Sequence, residues 1–222
     1  MKRTVEPELM DDEVQALAYA DVDFSDVHSQ IMDQMDVCWP GLILDGAILD
    51  LGCGPGDIAF RCAKKFPGCR VVGIDGSAPM IKLADQLKAQ ESEISSRVEF
   101  VQAMMPGSAI PKVQCEAIVS NSLLHHLHDP SVMWRTILEY AKPGTKIFIA
   151  DLMRPNDDAT VNQLVQEYAG NESAIHKADF YNSLHAAFEV NEVQEQLEQA
   201  GLNELSVKAI SDRHLLVFGE KV

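Results

Sequence analysis

The chain has 222 residues, 46% of them hydrophobic, and its 34 acidic and 18 basic side chains give a formal net charge of −16. This length and composition predict one globular domain with a sizeable core. The acidic balance argues against nucleic acid, whose phosphates need a basic surface, and against an anionic membrane. There is no long apolar run, signal peptide pattern or CxxC pair, so we expect a cytoplasmic protein with reduced thiols.

Hydrophobic periodicity predicts helices and strands that alternate along the chain. The first half of the chain is predicted to contain one broken or two short helices over 11–37, strands over 47–51, 70–74, 98–102 and 117–120, and helices over 57–66 and 78–90. The second half is predicted to contain a helix over 130–141, a strand over 146–150, two helical pieces over 157–186, a helix over 190–200, and strands over 205–210 and 214–218. This order predicts an α/β fold with a doubly wound sheet, mostly parallel with an antiparallel edge strand.

The negative charge is unevenly distributed along these elements. Residues 1–38 hold ten acids and two bases, and residues 156–204 hold ten acids and one base. Residues 39–155 are balanced, with twelve of each sign. The simplest interpretation of the acidic segments is solubility. The alternative is a site entrance that favours cationic or neutral substrates.

A glycine-rich turn over residues 52–56 is the most informative feature of the chain. It follows an apolar strand, precedes a helix and has the spacing GxGxG. The glycines permit a tight turn, and the helix presents free backbone N–H groups to a ligand above it. Asp75 ends the next strand, 23 residues beyond Gly52, where nucleotide-binding α/β units place a carboxylate on ribose hydroxyls. The GxGxG spacing, and the presence of Asp57 directly after the turn, argue against a binding site for a dinucleotide cofactor.

The strand, the glycine-rich turn and the helix that follows it together resemble motif I of the class I S-adenosylmethionine (SAM)-dependent methyltransferases. The resemblance to this family covers roughly residues 40–222. It implies a Rossmann-like, seven-stranded sheet in the order 3-2-1-4-5-7-6, with SAM as cofactor and S-adenosylhomocysteine as product. A single methyltransferase domain over 1–222 would comprise a helical lid over 1–40, a SAM-binding core over 41–155, a helical substrate cover over 156–188, and a closing helix and β-pair over 189–222.

The resemblance also implies cofactor contacts. Asp50 and the 52–56 turn would hold the amino-acid end of SAM, and Asp75 would take the ribose hydroxyls. Where the family often has an acid for the adenine amine, this chain has Gln102 and Met104, so adenine recognition would rest on them or on backbone groups. The predicted cofactor residues are Tyr19, Asp50, Gly52, Cys53, Gly54, Gly56, Asp75, Gly76, Ser77, Met80, Gln102, Ala103, Met104, Ser120 and Asn121.

Histidines follow the fourth strand, in the segment that borders both methyl group and substrate in the family. His125 or His126 is the predicted general base for a hydroxyl, thiol or amine acceptor, because imidazole accepts protons near neutral pH. In the alternative, one histidine packs under the sheet end and the other bonds to backbone. A second interpretation is a metal site formed by His125, His128 and Asp129, but Asp129 is better explained as a helix cap before Pro130, so we predict no metal.

Substrate contacts are expected after the fifth strand and in the 156–188 segment. Arg154 is predicted to pair with a substrate carboxylate, or else with a local acid such as Asp151 or Asp157. Tyr19 and Phe24 would close over SAM, or pack in the core instead. The predicted substrate residues are Asp151, Arg154, Tyr181, Asn182 and His185.

The function implied is in-line transfer of a methyl group from SAM to a small-molecule acceptor, by a monomer or homodimer. One alternative is a non-catalytic SAM-binding or scaffold protein, because only the cofactor half of the site is clear from the sequence. A protein methyltransferase is another. A nicotinamide-dependent oxidoreductase is disfavoured by the glycine spacing.

Overall fold

All seven strands form one sheet in the order β3-β2-β1-β4-β5-β7-β6, in a computed structural model that describes residues 1–7, 9–107 and 109–222. The strands are β1 Gly46–Leu51, β2 Cys69–Asp75, β3 Val98–Gln102, β4 Cys115–Asn121, β5 Ala141–Leu152, β6 Ser206–Ala209 and β7 His214–Glu220. Strands β1 to β5 pair in parallel, and β7 pairs antiparallel with both β5 and β6. The predicted fold class and strand order are confirmed; the antiparallel strand β7 lies one position inside the edge.

The described part of the chain contains eight α-helices, of which the first two precede β1. They are α1 Glu13–Ala20, α2 Ser25–Cys38, α3 Asp57–Lys65, α4 Ala78–Lys88, α5 Ser131–Tyr140, α6 Asp158–Ala169, α7 Ala174–Ala186 and α8 Val190–Ala200. Ser77 caps α4 by accepting from the Met80 amide, as its sequence predicts. Asp129 does not occupy the N-cap of α5, which is Pro130, but its carboxylate still accepts from the Ser131 amide at 3.0 Å.

Successive residues of each strand point to opposite faces of the sheet, and helices cover the apolar side chains on both faces. Ile48 of β1 packs in a cluster with residues of α2, α3 and α4, whereas Leu49 and Leu51 pack in a second cluster with residues of α5 and α8. A smaller cluster lies under α6 and α7. Because β1 pairs with both β2 and β4, the strand order reverses beside β1. A crevice at the carboxyl ends of these strands is the expected ligand site.

Residues 1–7 and 9–12, called the strap below, cross this end of the sheet. The Thr4 amide donates to the carbonyl of His185 at 3.0 Å, and the Ser77 hydroxyl donates to the carbonyl of Met10 at 2.7 Å. The Arg3 guanidinium lies 3.9 Å from the centre of the Phe188 ring. These contacts fix the strap over the strand ends before α1 begins. Among the described residues, no helix combines the length and apolar character needed to cross a membrane.

Candidate active site

A cavity of about 580 Å³ lies at the carboxyl ends of β1, β2 and β4, beneath the strap, α1 and α2. This volume is typical of small-molecule sites. The predicted site residues that line it are Tyr19, Asp50, Gly52, Cys53, Gly54, Asp75, Gly76, Ser77, Met80, Ala103, Met104, Asn121, His125 and His126. The predicted site residues that do not line it are Gly56, Gln102, Ser120, Asp151, Arg154, Tyr181, Asn182 and His185.

The three glycines of the turn have different roles, although all have positive φ angles. A Cβ atom on Gly52 would lie 2.7 Å from Leu123, and one on Gly56 would lie 2.5 Å from Phe100. These two positions therefore need glycine for packing as well as for the turn. A Cβ atom on Gly54 would meet nothing within 4 Å. Gly54 is thus the glycine that leaves open space beside the cavity.

Asp75 lies at the end of β2 and faces the turn. Its Oδ2 accepts from the Gly54 amide at 2.9 Å, and its Oδ1 accepts from the Ser77 amide at 2.8 Å. Burial raises the pKa of Asp75, although these two hydrogen bonds lower it. A carboxylate oxygen has two lone pairs, so each oxygen retains one for a ligand hydroxyl.

Asp50 is the last residue but one of β1 and is only 1% exposed. No described residue forms a hydrogen bond to its Oδ2. Burial, followed by the charges of Asp75 and Asp57, raises the pKa of Asp50 well above its usual value. An unpaired buried carboxylate oxygen is costly unless a donor reaches it. The ammonium group of an amino-acid ligand is a donor of the right charge, so Asp50 fits the amino-acid end of SAM.

The part of the cavity beside Asp75, called the slot below, is lined by Gly76, Met104 and the strap residue Leu9. A Cβ atom on Gly76 would lie 2.6 Å from the Met104 sulfur and 2.8 Å from Leu9. Met104 is 53% exposed and lines the cavity. Gln102 does not reach the slot, because its side-chain amide donates to the carbonyl of Gly76 at 3.2 Å. Apolar contacts, with backbone groups, are therefore what this slot offers to a flat ring.

Ser120 is another predicted cofactor contact that faces away from the cavity. Its hydroxyl donates to the carbonyl of Leu51 at 2.7 Å and joins β4 to β1 in the buried sheet. The next residue, Asn121, does line the cavity, because neighbouring strand residues point to opposite faces. Its Oδ1 is buried and has no described partner.

A polar network that the sequence did not predict connects α2, α3 and β4. His28 Nδ1 lies 2.7 Å from Asp57 Oδ2, which also accepts from Arg61 Nε at 2.6 Å. His28 Nε2 lies 3.2 Å from Asn121 Nδ2. Burial raises the pKa of Asp57, but the hydrogen bonds from His28 and Arg61 outweigh it and hold the pKa below its usual value. The helical spacing of His28, Ile31 and Met35 indicates a buried face but does not identify these partners.

The two predicted catalytic histidines have different surroundings. His125 is buried, with Nδ1 2.6 Å from Asp151 and Nε2 3.5 Å from Glu6 of the strap. Burial lowers the pKa of His125, but the Asp151 carboxylate outweighs it and raises the pKa above its usual value. Burial, followed by the charge of His125, lowers the pKa of His126 to about 3. His126, which lines the cavity, is therefore neutral, and its role as a base stays a prediction.

Arg154 is placed away from the cavity. Its side chain is 3% exposed, and its Nη2 donates to Glu189 at 2.9 Å and to Glu192 at 2.7 Å. Its Nη1 donates to the carbonyl of Ala187 at 2.9 Å. The predicted local ion pair thus exists, but with these two glutamates instead of Asp151 or Asp157. Arg154 links the chain just after β5 to the start of α8 and does not line the cavity, and its contact with a substrate carboxylate stays a prediction.

The other predicted substrate residues are also engaged elsewhere. Asp151 accepts from His125 and from the Leu124 amide. His185 lies 2.9 Å from Asp158 and contacts the Tyr181 ring at a tilt, with ring centres 4.5 Å apart. Asn182 lines a second cavity of about 140 Å³. The 156–188 segment meets the main cavity through other side chains, namely Tyr168, His176, Asp179, Phe180 and Ser183.

Comparison with known proteins agrees with this geometry. Residues 49–147 match the family model described as a methyltransferase domain. Trans-aconitate 2-methyltransferase of Azoarcus is 32% identical over 123 residues, which cover 55% of this chain and 45% of that protein. Phosphoethanolamine N-methyltransferase 1 of Arabidopsis thaliana is 36% identical over 107 residues, 48% of this chain and 21% of that protein. The chain thus spans less than half the length of these two relatives.

A solved structure shares the fold over nearly the whole chain. The SAM-dependent methyltransferase from Aquifex aeolicus superposes with a TM-score of 0.64 at 18% identity, over 95% of this chain and 99% of that one. Three observations therefore agree with one another: the glycine turn with Asp75, the strand order and the match to a methyltransferase domain. Residues 49–147 thus match a methyltransferase domain, and the chain shares its fold with a solved SAM-dependent methyltransferase.

Proposed function

We propose that the protein transfers the methyl group of SAM to a small-molecule acceptor held in the same 580 Å³ cavity. The observation that carries this proposal is the unpaired, buried oxygen of Asp50, a residue that lines the cavity together with Asp75 and the glycine turn. SAM, when bound, supplies a methyl carbon whose bond to the sulfonium sulfur breaks as the acceptor lone pair attacks. Asp50 would accept from its ammonium group, and Asp75 from its ribose hydroxyls.

An acceptor half of the cavity, defined here by Tyr19, Phe24, His28, Asn121 and His176, lies beside the cofactor residues. Phe24 stacks on His28 with ring centres 5.3 Å apart, and it contacts Tyr19 at 5.0 Å and His176 at 5.8 Å. Burial raises the pKa of Tyr19 to about 12, so its hydroxyl keeps its proton. These aromatic walls, with the unpaired Asn121 Oδ1 as acceptor, fit a small molecule that carries an N–H or O–H group.

The charges of the cavity support a neutral or cationic acceptor. The two arginines that line it are each paired with an aspartate, Arg61 with Asp57 and Arg213 with Asp212. The names of the relatives include trans-aconitate, phosphoethanolamine and ubiquinone biosynthesis, which supports small molecules as a class. Catalysis would come mainly from holding acceptor and methyl carbon in line in a cavity shielded from water by the strap.

Turnover separates this proposal from a non-catalytic SAM-binding protein. We would incubate the protein with SAM and a broad panel of small amines, alcohols and thiols, and measure S-adenosylhomocysteine formed. The proposal expects acceptor-dependent product. SAM binding without product across the panel, extended to peptide acceptors, would contradict it and favour the non-catalytic alternative. Product with peptides alone would instead support a protein methyltransferase.

S-adenosylhomocysteine should raise the melting temperature of the protein. At 100 times its dissociation constant, a ligand adds about 2.7 kcal/mol to the free energy of unfolding. For a domain of this size, this corresponds to roughly 5–11 °C. Differential scanning fluorimetry measures the shift, with NADH at the same concentration as control. A shift with NADH and none with S-adenosylhomocysteine would contradict the assigned cofactor.

The variant Phe24→Leu should impair the acceptor half selectively. Loss of the aromatic contacts is expected to cost about 1–2 kcal/mol, which lowers kcat/KM for the acceptor about 5- to 30-fold. The dissociation constant for SAM should stay within about twofold. Phe218→Leu, on β7 and outside the cavity, is the matched control. Equal kinetics for the two variants, or a matching loss of SAM affinity in Phe24→Leu, would refute an acceptor contact by Phe24.

A further inference from the structure

Three side chains from two distant segments converge beside the main cavity. They are Glu6 of the strap and His125 and His126, which lie in the 3₁₀ turn Leu124–His126. A Glu6 carboxylate oxygen lies 3.5 Å from His125 Nε2 and 3.4 Å from His126 Nδ1. The potential ligand atoms of all three residues lie within 4.8 Å of one another.

These separations match those of a bound zinc ion. With bond lengths of about 2.0–2.1 Å, two ligand atoms of a tetrahedral Zn²⁺ site are roughly 3.3 Å apart. Both Glu6–histidine distances are within about 0.2 Å of this value. Two histidines and a glutamate are also a ligand set that Zn²⁺ uses in catalytic sites with an open fourth position. Two of the three separations therefore match the geometry of one bound ion, and the third, between the two histidine nitrogens, is no more than 4.8 Å.

The hydrogen-bond donors and acceptors of Glu6 and His125 indicate a positively charged species between these two side chains. The His125 ring donates from Nδ1 to Asp151 at 2.6 Å, so its neutral form presents a lone pair at Nε2 to the Glu6 carboxylate. Two acceptors at this distance need a proton or a metal ion between them. In the described ranges, neither Glu6 nor Asp151 forms an ion pair with lysine or arginine. The neighbouring Arg3 donates instead to backbone carbonyls.

The surroundings of the three residues are also those of a metal site. Asp151 on the outer nitrogen of His125 orients a ligating imidazole, as carboxylates do in zinc proteins. The Ser183 hydroxyl donates to Glu6 Oε1 at 3.0 Å and fixes the carboxylate. The second cavity, of about 140 Å³, is lined by Glu6, His126 and Asn182 and has room for a water molecule as fourth ligand.

We propose that Glu6, His125 and His126 bind one Zn²⁺ ion through a carboxylate oxygen, Nε2 and Nδ1, respectively. The ion would join the strap to the turn after β4 and hold the strap over the main cavity. With Nδ1 on the metal, His126 carries its proton on Nε2 and cannot accept another there. Zinc binding and the predicted role of His126 as a base therefore exclude each other.

The test is calorimetric titration of EDTA-treated protein with Zn²⁺, in an excess of Mg²⁺ that occupies weak acidic sites. A Cys38→Ser background removes the one thiol that is only partly buried. We expect one ion per chain with a micromolar or tighter dissociation constant. Glu6→Gln and His126→Gln should each weaken binding at least about tenfold, because even residues behind the ligands contribute 10- to 100-fold. His185→Gln, which removes a histidine outside the cluster, should not change it.

Co²⁺ provides a second measurement on the protein without ligand substitutions, so that an unstable variant does not decide the result. Tetrahedral Co²⁺ absorbs strongly in the visible range, and octahedral Co²⁺ absorbs weakly. The proposal expects a strong spectrum that Zn²⁺ abolishes at one equivalent. A weak spectrum, the absence of stoichiometric Zn²⁺ binding, or equal affinity in Glu6→Gln and the His185→Gln control would overturn it. A proton shared by Glu6 and His125 would then account for the cluster.

Discussion

Replacing Asp75 with alanine should weaken SAM binding at least about 100-fold. We propose that the carboxylate accepts two hydrogen bonds from ribose hydroxyls, and hydrogen bonds to a charged group contribute about 1.5–3 kcal/mol each. Two such bonds correspond to roughly 100- to 10,000-fold in the dissociation constant. The variant also loses the acceptor for two backbone amides, that of Gly54 in the glycine turn and that of Ser77, the N-cap residue of α4. Calorimetric titration with SAM measures the loss.

Asp85→Ala is the matched control for this variant. Asp85 is an exposed aspartate on α4, 3.5 Å from Lys88, and does not line the cavity. Its substitution should leave SAM affinity unchanged, and circular dichroism should show that both variants fold. An Asp75→Ala protein that is folded and binds SAM as tightly as the unsubstituted chain would contradict the assignment of Asp75 to the ribose.

Replacing Arg154 with alanine should destabilise the protein without changing the affinity for SAM. Removing one partner of a buried ion pair costs about 3–5 kcal/mol, because it leaves the other charges unpaired. Glu189 and Glu192 are about one-third exposed, with side-chain exposures of 33% and 34%, so we expect a smaller loss of about 2–3 kcal/mol. This loss corresponds to a melting temperature roughly 4–12 °C lower.

Arg135→Ala tests whether this effect belongs to the buried position. Arg135 is an exposed arginine on α5, 3.7 Å from Asp129, and its loss should change stability by no more than about 0.5 kcal/mol. Acceptor kinetics provide the second readout for Arg154. An unchanged melting temperature together with a raised KM for the acceptor would restore the substrate role that the sequence predicted for this residue.

The fold was predictable because its signals are local in the sequence. Apolar strands, helical periodicity and turn residues alternate along the chain, and the resemblance of residues 47–57 to motif I implied the strand order. Asp75 was predictable for the same reason, since it ends a strand at a fixed spacing from the glycine turn. The Ser77 cap likewise depends on its own backbone and the next three residues.

Two kinds of contact were not predicted. In one kind the partners are far apart in the sequence, and in the other the contact depends on the direction in which one side chain points. His28 reaches Asn121 across 93 positions, and Glu6 lies beside histidines that follow it by about 120 positions. No local pattern encodes such pairs. Ser120 and Asn121 show the second difficulty, because a shift of one residue along a strand moves a side chain from the cavity to the interior of the sheet.

The most direct test of the central claim is calorimetric titration of the purified protein with SAM, with NADH as control. The account predicts one SAM per chain with a micromolar dissociation constant, and no heat of binding for NADH. Absence of SAM binding to folded protein, or binding of NADH in its place, would contradict the assignment of the glycine turn, Asp50 and Asp75 to SAM.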